Sequence, residues 1–280
     1  MKSHAVMTLS NGASFFRGDL HIHSFGASHD VSDSDATPAK IVDMALSEGL
    51  ALIALADHNE VFNVRVAVEY GAENSLVVIP AIELSTPEGH LLCYTPNVDA
   101  LERFFGRLSI ADRRLASCRC QTGVVQCLDL LRREGGFAVL AHVELAGAFE
   151  ANLPRPTPAK RDIICHAALL GIEVTRSDCP VLYTDRDADQ DRRSLAQERI
   201  RRLRLGSQQF LARILNSDAH TLMAVGRNAQ SDRRITRYKM EEPSFHGLRL
   251  ALLAALLAHR CDQQMFATIG AGHLVPQQQI

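Results

Sequence analysis

The most constraining feature of the sequence is a series of short apolar segments that each end in histidine or a carboxylate. In the first segment His21 and His23 are two residues apart, and residues two apart in a strand point to the same face. The almost wholly apolar run 50–56 is followed by Asp57 and His58, as expected of a strand covered on both faces. The same arrangement recurs at Glu83, His142, Asp218 and His220.

Amphipathic stretches with helix boundaries separate these segments. Thr37-Pro38 predicts a helix start, Ile41 and Val42 share its apolar face, and Gly49 ends it. Strands that alternate with helices predict an α/β fold with a parallel sheet or barrel. About seven such units in roughly 260 residues match a β/α barrel, in which the strand carboxyl ends form the site. We therefore predict one domain over residues 13–262 and a C-terminal tail over 263–280.

Polar side chains at or just beyond the strand ends, together with His90 at the start of a strand, form a set of candidate metal ligands. The set comprises His21, His23, His29, His58, Glu83, His90, His142, Asp218 and His220. Histidine with carboxylate suits zinc, manganese or iron, and the absence of cysteine disfavours a closed structural zinc site. Nine ligands are too many for one ion and fit two or three, with a carboxylate such as Glu83 bridging. Paired metals favour hydrolysis of phosphate esters, with a bridging hydroxide as nucleophile.

The strand-end motifs resemble those of the PHP (polymerase and histidinol phosphatase) family of metal-dependent phosphoesterases over roughly residues 15–260. They are His21-Ile22-His23, Ala56-Asp57-His58-Asn59, Glu83-Leu84-Ser85 with His90, Ala141-His142, and Ser217-Asp218-Ala219-His220. The resemblance implies a distorted (β/α)7 barrel. It also implies two or three divalent transition-metal ions, zinc, manganese or iron, at the carboxyl ends of the strands.

Carried over residue by residue, the resemblance implies three ion sites. The first would be held by His21, His23, Glu83 and Asp218. The second would be held by Glu83, His90 and His142. The third would be held by His29, His58 and His220; in the family the position of His29 is His or Asp, and Asp30 is adjacent. Asp57 would orient an imidazole.

The resemblance points to one particular group within the family at segments 82–94, 226–227 and 239–245. These segments look like the PHP module at the N-terminus of some bacterial SMC-like or DNA-repair-type P-loop ATPases. The sequence contains no Gly-x-x-x-x-Gly-Lys-[Ser/Thr]. The sequence is therefore expected to be either a stand-alone module or one that works with a P-loop ATPase, in trans or in a longer chain.

Candidate groups for binding a phosphate are arginines. Arg176 follows a predicted strand and Arg227 follows His220 by seven residues, so either could hold phosphate oxygens bidentately. The arginine-rich helix predicted at 185–205 is either a solvated face or a guide for a polyanion. A second basic stretch has five arginines between residues 103 and 119, with few aromatic residues beyond Phe104 and Phe105. Base-stacking recognition of single strands is therefore poorly supported by this stretch.

Composition limits the class of protein. The formal net charge of −2 and the seven cysteines, an odd number without Cys-x-x-Cys spacing, favour neither a general nucleic-acid binder nor a disulfide framework. No signal peptide or membrane span is predicted, so we expect a cytoplasmic protein without membrane contact.

The predicted function is hydrolysis of phosphate monoesters or diesters, on a phosphorylated small molecule or on nucleic-acid ends. Three alternatives remain: a nuclease, a non-catalytic metal-bearing module that docks an ATPase, and an amidohydrolase-type barrel. The last usually needs a lysine that bridges the metals, and no lysine lies at a predicted strand end.

Overall fold

The computed structural model describes residues 12–113, 115–227, 232–254 and 259–261. The strands are β1 (Ser14–Ile22), β2 (Leu52–Leu55), β3 (Val77–Val78), β4 (Ala81–Thr86), β5 (Gly89–Tyr94), β6 (Ile110–Ala111), β7 (Arg119–Cys120), β8 (Phe137–Leu140), β9 (Leu169–Glu173), β10 (Ala212–Ile214), β11 (Thr236–Met240) and β12 (His259–Cys261). The helices are α1 (Pro38–Ser47), α2 (Val64–Glu73), α3 (Val98–Phe105), α4 (Val124–Arg133), α5 (Phe149–Asn152), α6 (Pro158–Ile164), α7 (Gln190–Leu203) and α8 (Phe245–Leu253), with a 3-10 helix at Leu222–Ala224.

The strands form two five-stranded sheets and one small hairpin. The first sheet has the order β12-β11-β1-β2-β3, and the second has the order β10-β9-β8-β5-β4. Pairing is parallel between β1 and β2 and between β8 and β9, but antiparallel around β5 and between β1 and β11. The fold is therefore mixed α/β. A closed seven-stranded barrel is not formed by continuous pairing of the described strands, and that detail stays a prediction.

Alternate residues of the buried strands enter two different apolar cores. In β2, Leu52 and Ala54 join one core, and Ile53 and Leu55 join the other. The core that contains Leu52 draws on both sheets and on α8. The other core also receives the apolar faces of α1, α2 and α4. Successive residues of a strand point to opposite faces, and both faces of these strands are buried. Their sequences are therefore apolar at nearly every position.

Two isolated bridges connect the sheets at the carboxyl ends of their strands. Ile22 pairs with Ala219, and His58 pairs with Glu83. The main-chain nitrogen of His23 donates to the carbonyl of Ala219 at 2.9 Å. These bridges hold the motifs predicted from different parts of the sequence against one another.

The sequence also predicts a strand at 76–82, a mostly helical stretch at 99–134 and a last helix at 244–259, and the structure differs at each of them. The expected strand at 76–82 divides at Pro80 into β3 and β4. The stretch 99–134, predicted to be mostly helical, contains the β6–β7 hairpin between α3 and α4. The last helix ends at Leu253, and His259 begins β12 rather than ending the helix. The predicted boundary after residue 262 lies outside the described residues. Among the described residues, no helix has the length and apolar character needed to cross a membrane.

Candidate metal centre

The strand-end histidines and carboxylates converge on the buried carboxylate of Glu83. Three groups of possible ligand atoms form there, and within each group all atoms lie within 4.8 Å of one another. The groups are His21, His23, Glu83 and Asp218; His58, Glu83 and His90; and His23, Asp30, His58 and His220.

The first group is the most compact. His21 Nε2 lies 2.9 Å from Glu83 Oε2 and 3.4 Å from Asp218 Oδ1. His23 Nε2 lies 3.3 Å from Glu83 Oε2 and 3.1 Å from Asp218 Oδ1. The two imidazole Nε2 atoms are 3.1 Å apart. Bonds of about 2.0–2.1 Å to a tetrahedral zinc ion place its ligands about 3.3–3.4 Å apart, so these separations suit a single ion.

The second group uses both oxygens of Glu83. Glu83 Oε1 lies 2.8 Å from His90 Nδ1 and 3.2 Å from His142 Nε2. Glu83 Oε2, which faces the first group, also lies 3.2 Å from His58 Nδ1. A carboxylate with histidines on both oxygens is placed to bridge two ions.

The third group contains Asp30, which the sequence prediction did not select. Asp30 Oδ2 lies 3.0 Å from His220 Nε2 and 3.2 Å from His58 Nε2. His29 is exposed, and its ring centroid is 5.3 Å from that of His58. The structure thus brings the neighbouring carboxylate into this group and leaves His29 outside the three groups of donor atoms. His142, predicted with Glu83 and His90, is also outside them, because His58 takes its place in the second group, although His142 Nε2 still lies 3.2 Å from Glu83 Oε1.

His90 reaches the cluster because β5 runs antiparallel to β4. Ser85 and His90 are register partners in this hairpin, with Thr86 opposite Gly89. The beginning of β5 therefore lies at the same edge as the end of β4. This geometry explains why a residue that opens a strand joins residues that end strands.

Three residues at the cluster have left-handed backbone conformations. The φ angles are +51° at Asn59, +27° at His142 and +55° at Asp218. Such angles are uncommon for residues other than glycine and cost on the order of 1–3 kcal/mol each. At each position the chain turns sharply just after a buried strand or strand extension.

The ring orientations of the first group are fixed by partners on the far side of the imidazoles. His21 Nδ1 lies 3.0 and 3.1 Å from the two oxygens of Glu173. Asn216 and the main-chain nitrogen of His142 also donate to this carboxylate. His23 Nδ1 lies 2.9 Å from the hydroxyl of Ser28. A proton on Nδ1 of His21 leaves Nε2 free to bind a cation.

The apolar pattern of the sequence predicts β9 at 172–175, which puts Arg176 at its end and does not select Glu173. The strand instead spans Leu169–Glu173. A carboxylate that directly ends an apolar run is the same pattern that identified Glu83.

Asp57 contacts the loop after β1 rather than an imidazole. Its two oxygens accept hydrogen bonds from the main-chain nitrogen and the hydroxyl of Ser24, each at 2.6 Å. Burial raises the pKa of Asp57. Asp57 therefore fixes the backbone between His23 and Ser28, and its predicted effect on an imidazole would act through that loop.

The electrostatics of the cluster favour positive charge at its centre. Burial raises the pKa of Glu83, but His21 and His58 outweigh it and hold that pKa well below its usual value. Burial lowers the pKa of His23, whereas hydrogen bonds to Asp218 and Glu83 raise it to about 9. Burial alone would raise the pKa of Asp218, but His21 and His23 outweigh it and hold that pKa below its usual range.

The donor set fits divalent transition metals. It consists of nitrogen and oxygen atoms, the ligands that suit zinc, manganese and iron. The Nδ1 atoms of His58 and His142 are buried and make no hydrogen bond among the described residues, although His58 Nδ1 lies 3.2 Å from Glu83 Oε2. The Nε2 atoms of His21 and His23 lie 3.1 Å apart. A cation between them would therefore satisfy the lone pairs of both rings in their neutral form.

One side of the cluster opens to solvent. The side chains of His21 and Glu83 are fully buried, whereas those of His90, His220 and Asp30 are about one-third exposed. A substrate can therefore reach the second and third groups from outside.

The two predicted phosphate-binding arginines have different surroundings. Arg176 is exposed after β9, with its Nε 3.4 Å from Asp178 Oδ1, and exposed ion pairs of this kind are weak. The guanidinium of Arg227 binds both oxygens of Glu48 at 2.7 and 2.8 Å. Arg227 Nη2 is therefore already paired with the carboxylate of Glu48.

Most of the positive charge of α7 is used within the protein. Arg192 binds Asp187 at 2.8 Å through Nε and Nη2, and Arg202 binds Glu198 at 2.6 Å. Arg199 is buried and donates to main-chain carbonyls of residues 164, 166 and 169. These contacts favour the solvated-face interpretation of the arginine run over a guide for a polyanion.

Solved structures resemble this chain over most of its length. A two-domain protein from Bacteroides vulgatus containing a predicted PHP-like metal-dependent phosphoesterase matches 86% of the chain at 17% identity with a TM-score of 0.57. The fold is that of a PHP-like domain. No protein-family model and no curated protein matches the sequence.

Two further neighbours are endonucleases. The lesion-specific endonuclease PfuEndoQ from Pyrococcus furiosus matches 86% of the chain at 16% identity, with a TM-score of 0.61. Endonuclease Q in complex with a 27-mer duplex substrate, with an abasic lesion at the active site, matches 85% at 17% identity, with a TM-score of 0.60. This chain spans 56–63% of the length of these three proteins.

Proposed function

We propose that this chain is a metal-dependent hydrolase of the PHP family that cleaves phosphate monoesters or diesters. The observation that carries the proposal is the position of Glu83. Its two oxygens lie within 3.3 Å of histidines from four different segments of the chain. A single bridging carboxylate among so many imidazoles suits a site with two or three ions.

The protein's own groups would hold and orient these ions. His21, His23, Glu83 and Asp218 would bind the first, and the groups around His58 would bind the others. Divalent ions held by these residues would lower the pKa of bound water and neutralise charge on phosphoryl oxygens. Glu173 fixes the ring of His21, so its Nε2 points at Glu83 and Asp218.

We expect the nucleophile to be water rather than a serine hydroxyl. The hydroxyl of Ser28 lies 2.9 Å from His23 Nδ1, but it is buried and also accepts a hydrogen bond from the main-chain nitrogen of His58. The hydroxyl of Ser217 donates to Asp19 Oδ2 at 2.5 Å. Ser85 is buried, and neither Ser217 nor Ser85 has the histidine partner that activates a nucleophilic hydroxyl among the hydrogen bonds of the described residues.

The substrate would enter from the open side of the cluster, and Arg176, three residues after Glu173 in the sequence, is the candidate for a further phosphate contact. A nucleic-acid phosphodiester is the second substrate class, supported by the likeness to Endonuclease Q. The relation to an SMC-like ATPase stays a prediction. The convergence of the donor atoms favours catalysis over a non-catalytic module.

The test combines metal analysis with an activity panel. Protein stripped with a chelator and reloaded with manganese or zinc should bind two to three ions per chain. It should hydrolyse at least one substrate in a panel of nucleotides, sugar phosphates and oligonucleotides. One ion or none after reloading would contradict the multinuclear site.

Ligand variants test the residue assignments. His142→Ala and Asp218→Ala should each lower activity by more than the roughly 10–100-fold typical of losing a supporting hydrogen bond. His166→Ala is the matched control, because His166 lies outside the cluster with its Nε2 3.3 Å from Asp129. Activity within a few-fold of wild type in both ligand variants would refute the assignments.

A further inference from the structure

Exposed apolar side chains follow four histidines of the cluster at intervals of two to four residues. They are Phe25 after His23, Phe62 after His58, Leu145 after His142 and Met223 after His220. Scattered exposed apolar residues need no explanation, but four of them on the segments that carry candidate metal ligands point to a ligand contact. The loops that carry the metal-ligand candidates thus also carry an apolar rim.

The two phenylalanines of this rim lie on loops that are tied together. The side-chain amide of Asn63, next to Phe62, donates to the carbonyl of Phe25 and to the hydroxyl of Ser24, both at 2.9 Å. The main-chain nitrogen of Phe25 donates to the carbonyl of Ala36 at 2.9 Å. Asn63 is buried. The backbones that present both rings are therefore ordered before any ligand binds.

The rings are close to the cluster along the chain. Consecutive Cα atoms are about 3.8 Å apart, so the Cα of Phe25 is within about 8 Å of that of His23. Phe25 is 43% exposed and Phe62 is 65% exposed. Phe104 is fully buried in the core, and the guanidinium of Arg113 lies 4.4 Å from the ring centroid of Phe105. Phe25 and Phe62 are thus exposed aromatic side chains on the two segments that carry His23 and His58.

We propose that Phe25 and Phe62 stack on the base of a nucleotide whose phosphate binds at the metal cluster. This proposal rests on the proposed function and specifies its substrate class. A nucleotide joins a phosphate to a flat aromatic group, which matches a cation site beside exposed phenyl rings. Base stacking on aromatic side chains tolerates different bases, so the rings set the class of substrate and not its sequence.

The test is a binding measurement that does not depend on turnover. The metal-loaded protein is titrated with 2-aminopurine riboside 5′-monophosphate, whose fluorescence is quenched on stacking, and the protein has no tryptophan to interfere. Ribose 5-phosphate, which lacks the base, is measured by competition. Phe25→Ala and Phe62→Ala should each weaken nucleotide binding by about 5- to 150-fold. Both should leave ribose 5-phosphate binding unchanged.

Control variants separate stacking from structure. Phe15 is similarly exposed but lies at the opposite end of β1, so Phe15→Ala should bind both ligands as wild type does. Phe62→Trp should keep nucleotide affinity, whereas Phe62→Leu, which keeps bulk without a ring, should lose it.

Several results would overturn the proposal. They are absence of quenching with wild-type protein, equal weakening of both ligands in the alanine variants, and tighter binding of octyl phosphate than of the nucleotide. Loss of all phosphoester hydrolysis with stacking intact would instead count against the proposed function alone.

Discussion

Replacing Glu173 with glutamine tests whether the cluster depends on a carboxylate behind His21. Glu173 is fully buried and accepts hydrogen bonds from Asn216 at 2.8 Å and from the main-chain nitrogen of His142 at 3.0 Å, besides its contacts with His21 Nδ1. The amide nitrogen of the introduced glutamine would face at least one of these donors. The variant also removes the charge that fixes the tautomer of His21.

The expected cost is a loss of about 10–100-fold in metal affinity, or about 1.4–2.7 kcal/mol. The loss should depend on pH. Although burial lowers the pKa of His21, Glu173 contributes most to raising it well above its usual value. The variant therefore binds fewer protons at His21, and protons compete less with the metal. The affinity loss should be larger at pH 9 than at pH 6.

Competition with a chromogenic chelator measures the affinity of wild type and variant for zinc or manganese at both pH values. Nitrogen-15 NMR of the imidazoles reports the tautomer of His21, which a purely structural effect would not change. Glu134→Gln is the matched control, because Glu134 is also nearly buried but pairs with Arg103 and Arg107 outside the cluster. Equal affinity of wild type and Glu173→Gln at pH 9 would refute the reasoning.

Three further predictions address the ligands, the nucleophile and the metal-free fold. Elemental analysis should show that Asp30→Ala loses about one metal ion per chain and that His29→Ala loses none, because only Asp30 places an oxygen near two histidines. Equal losses in the two variants would contradict the assignment of the third group. Single-turnover hydrolysis in oxygen-18 water should label the phosphate product, since the hydroxyl of Ser217 is held by Asp19; a trapped phospho-enzyme would exclude this. In urea unfolding, the metal-free protein should be less stable at pH 9 than at pH 6.5. The folded protein raises the pKa of His23 to about 9. Protonated His23 therefore contributes stability that is complete below pH 6.5 and is lost as the pH rises through 9. The loss corresponds to about 3 kcal/mol, and a flat profile would contradict it.

The sequence reveals most of the cluster because buried strands end where the site begins. An apolar run followed by histidine or a carboxylate marks a strand end, and the structure gathers eight of the nine predicted ligands around Glu83. His90 shows a limit of that reasoning. Only two residues separate Thr86 from Gly89, and a connection this short joins antiparallel strands, whereas a parallel pair needs a dozen residues or more. The loop length could therefore have revealed the mixed sheet.

Supporting groups are harder to find from sequence because they are chosen by tertiary placement. Asp30 lies in a loop whose register against His58 and His220 depends on how residues 24–37 pack. Nothing in the local sequence separates Asp30 from the neighbouring His29 as the inward residue. The β6–β7 hairpin was missed for a related reason, since each of its strands is two residues long and shows no periodicity.

The backbone at the site is the part of the fold that sequence patterns describe least well. Asn59, His142 and Asp218 all have positive φ, where glycine would be favoured for conformation alone. Glycine in place of His142 would remove the nitrogen that faces Glu83. Glycine in place of Asp218 would remove the oxygen that faces His21 and His23. At Asn59 it would remove the oxygen that accepts the hydrogen bond of the Ser85 main-chain nitrogen. The chain therefore keeps a side chain at each strained turn, and the bridges between the two sheets must hold these turns in place. The residues with strained backbones also carry the functional side chains, because the sharp turn after each strand directs the side chain at that turn towards the cluster.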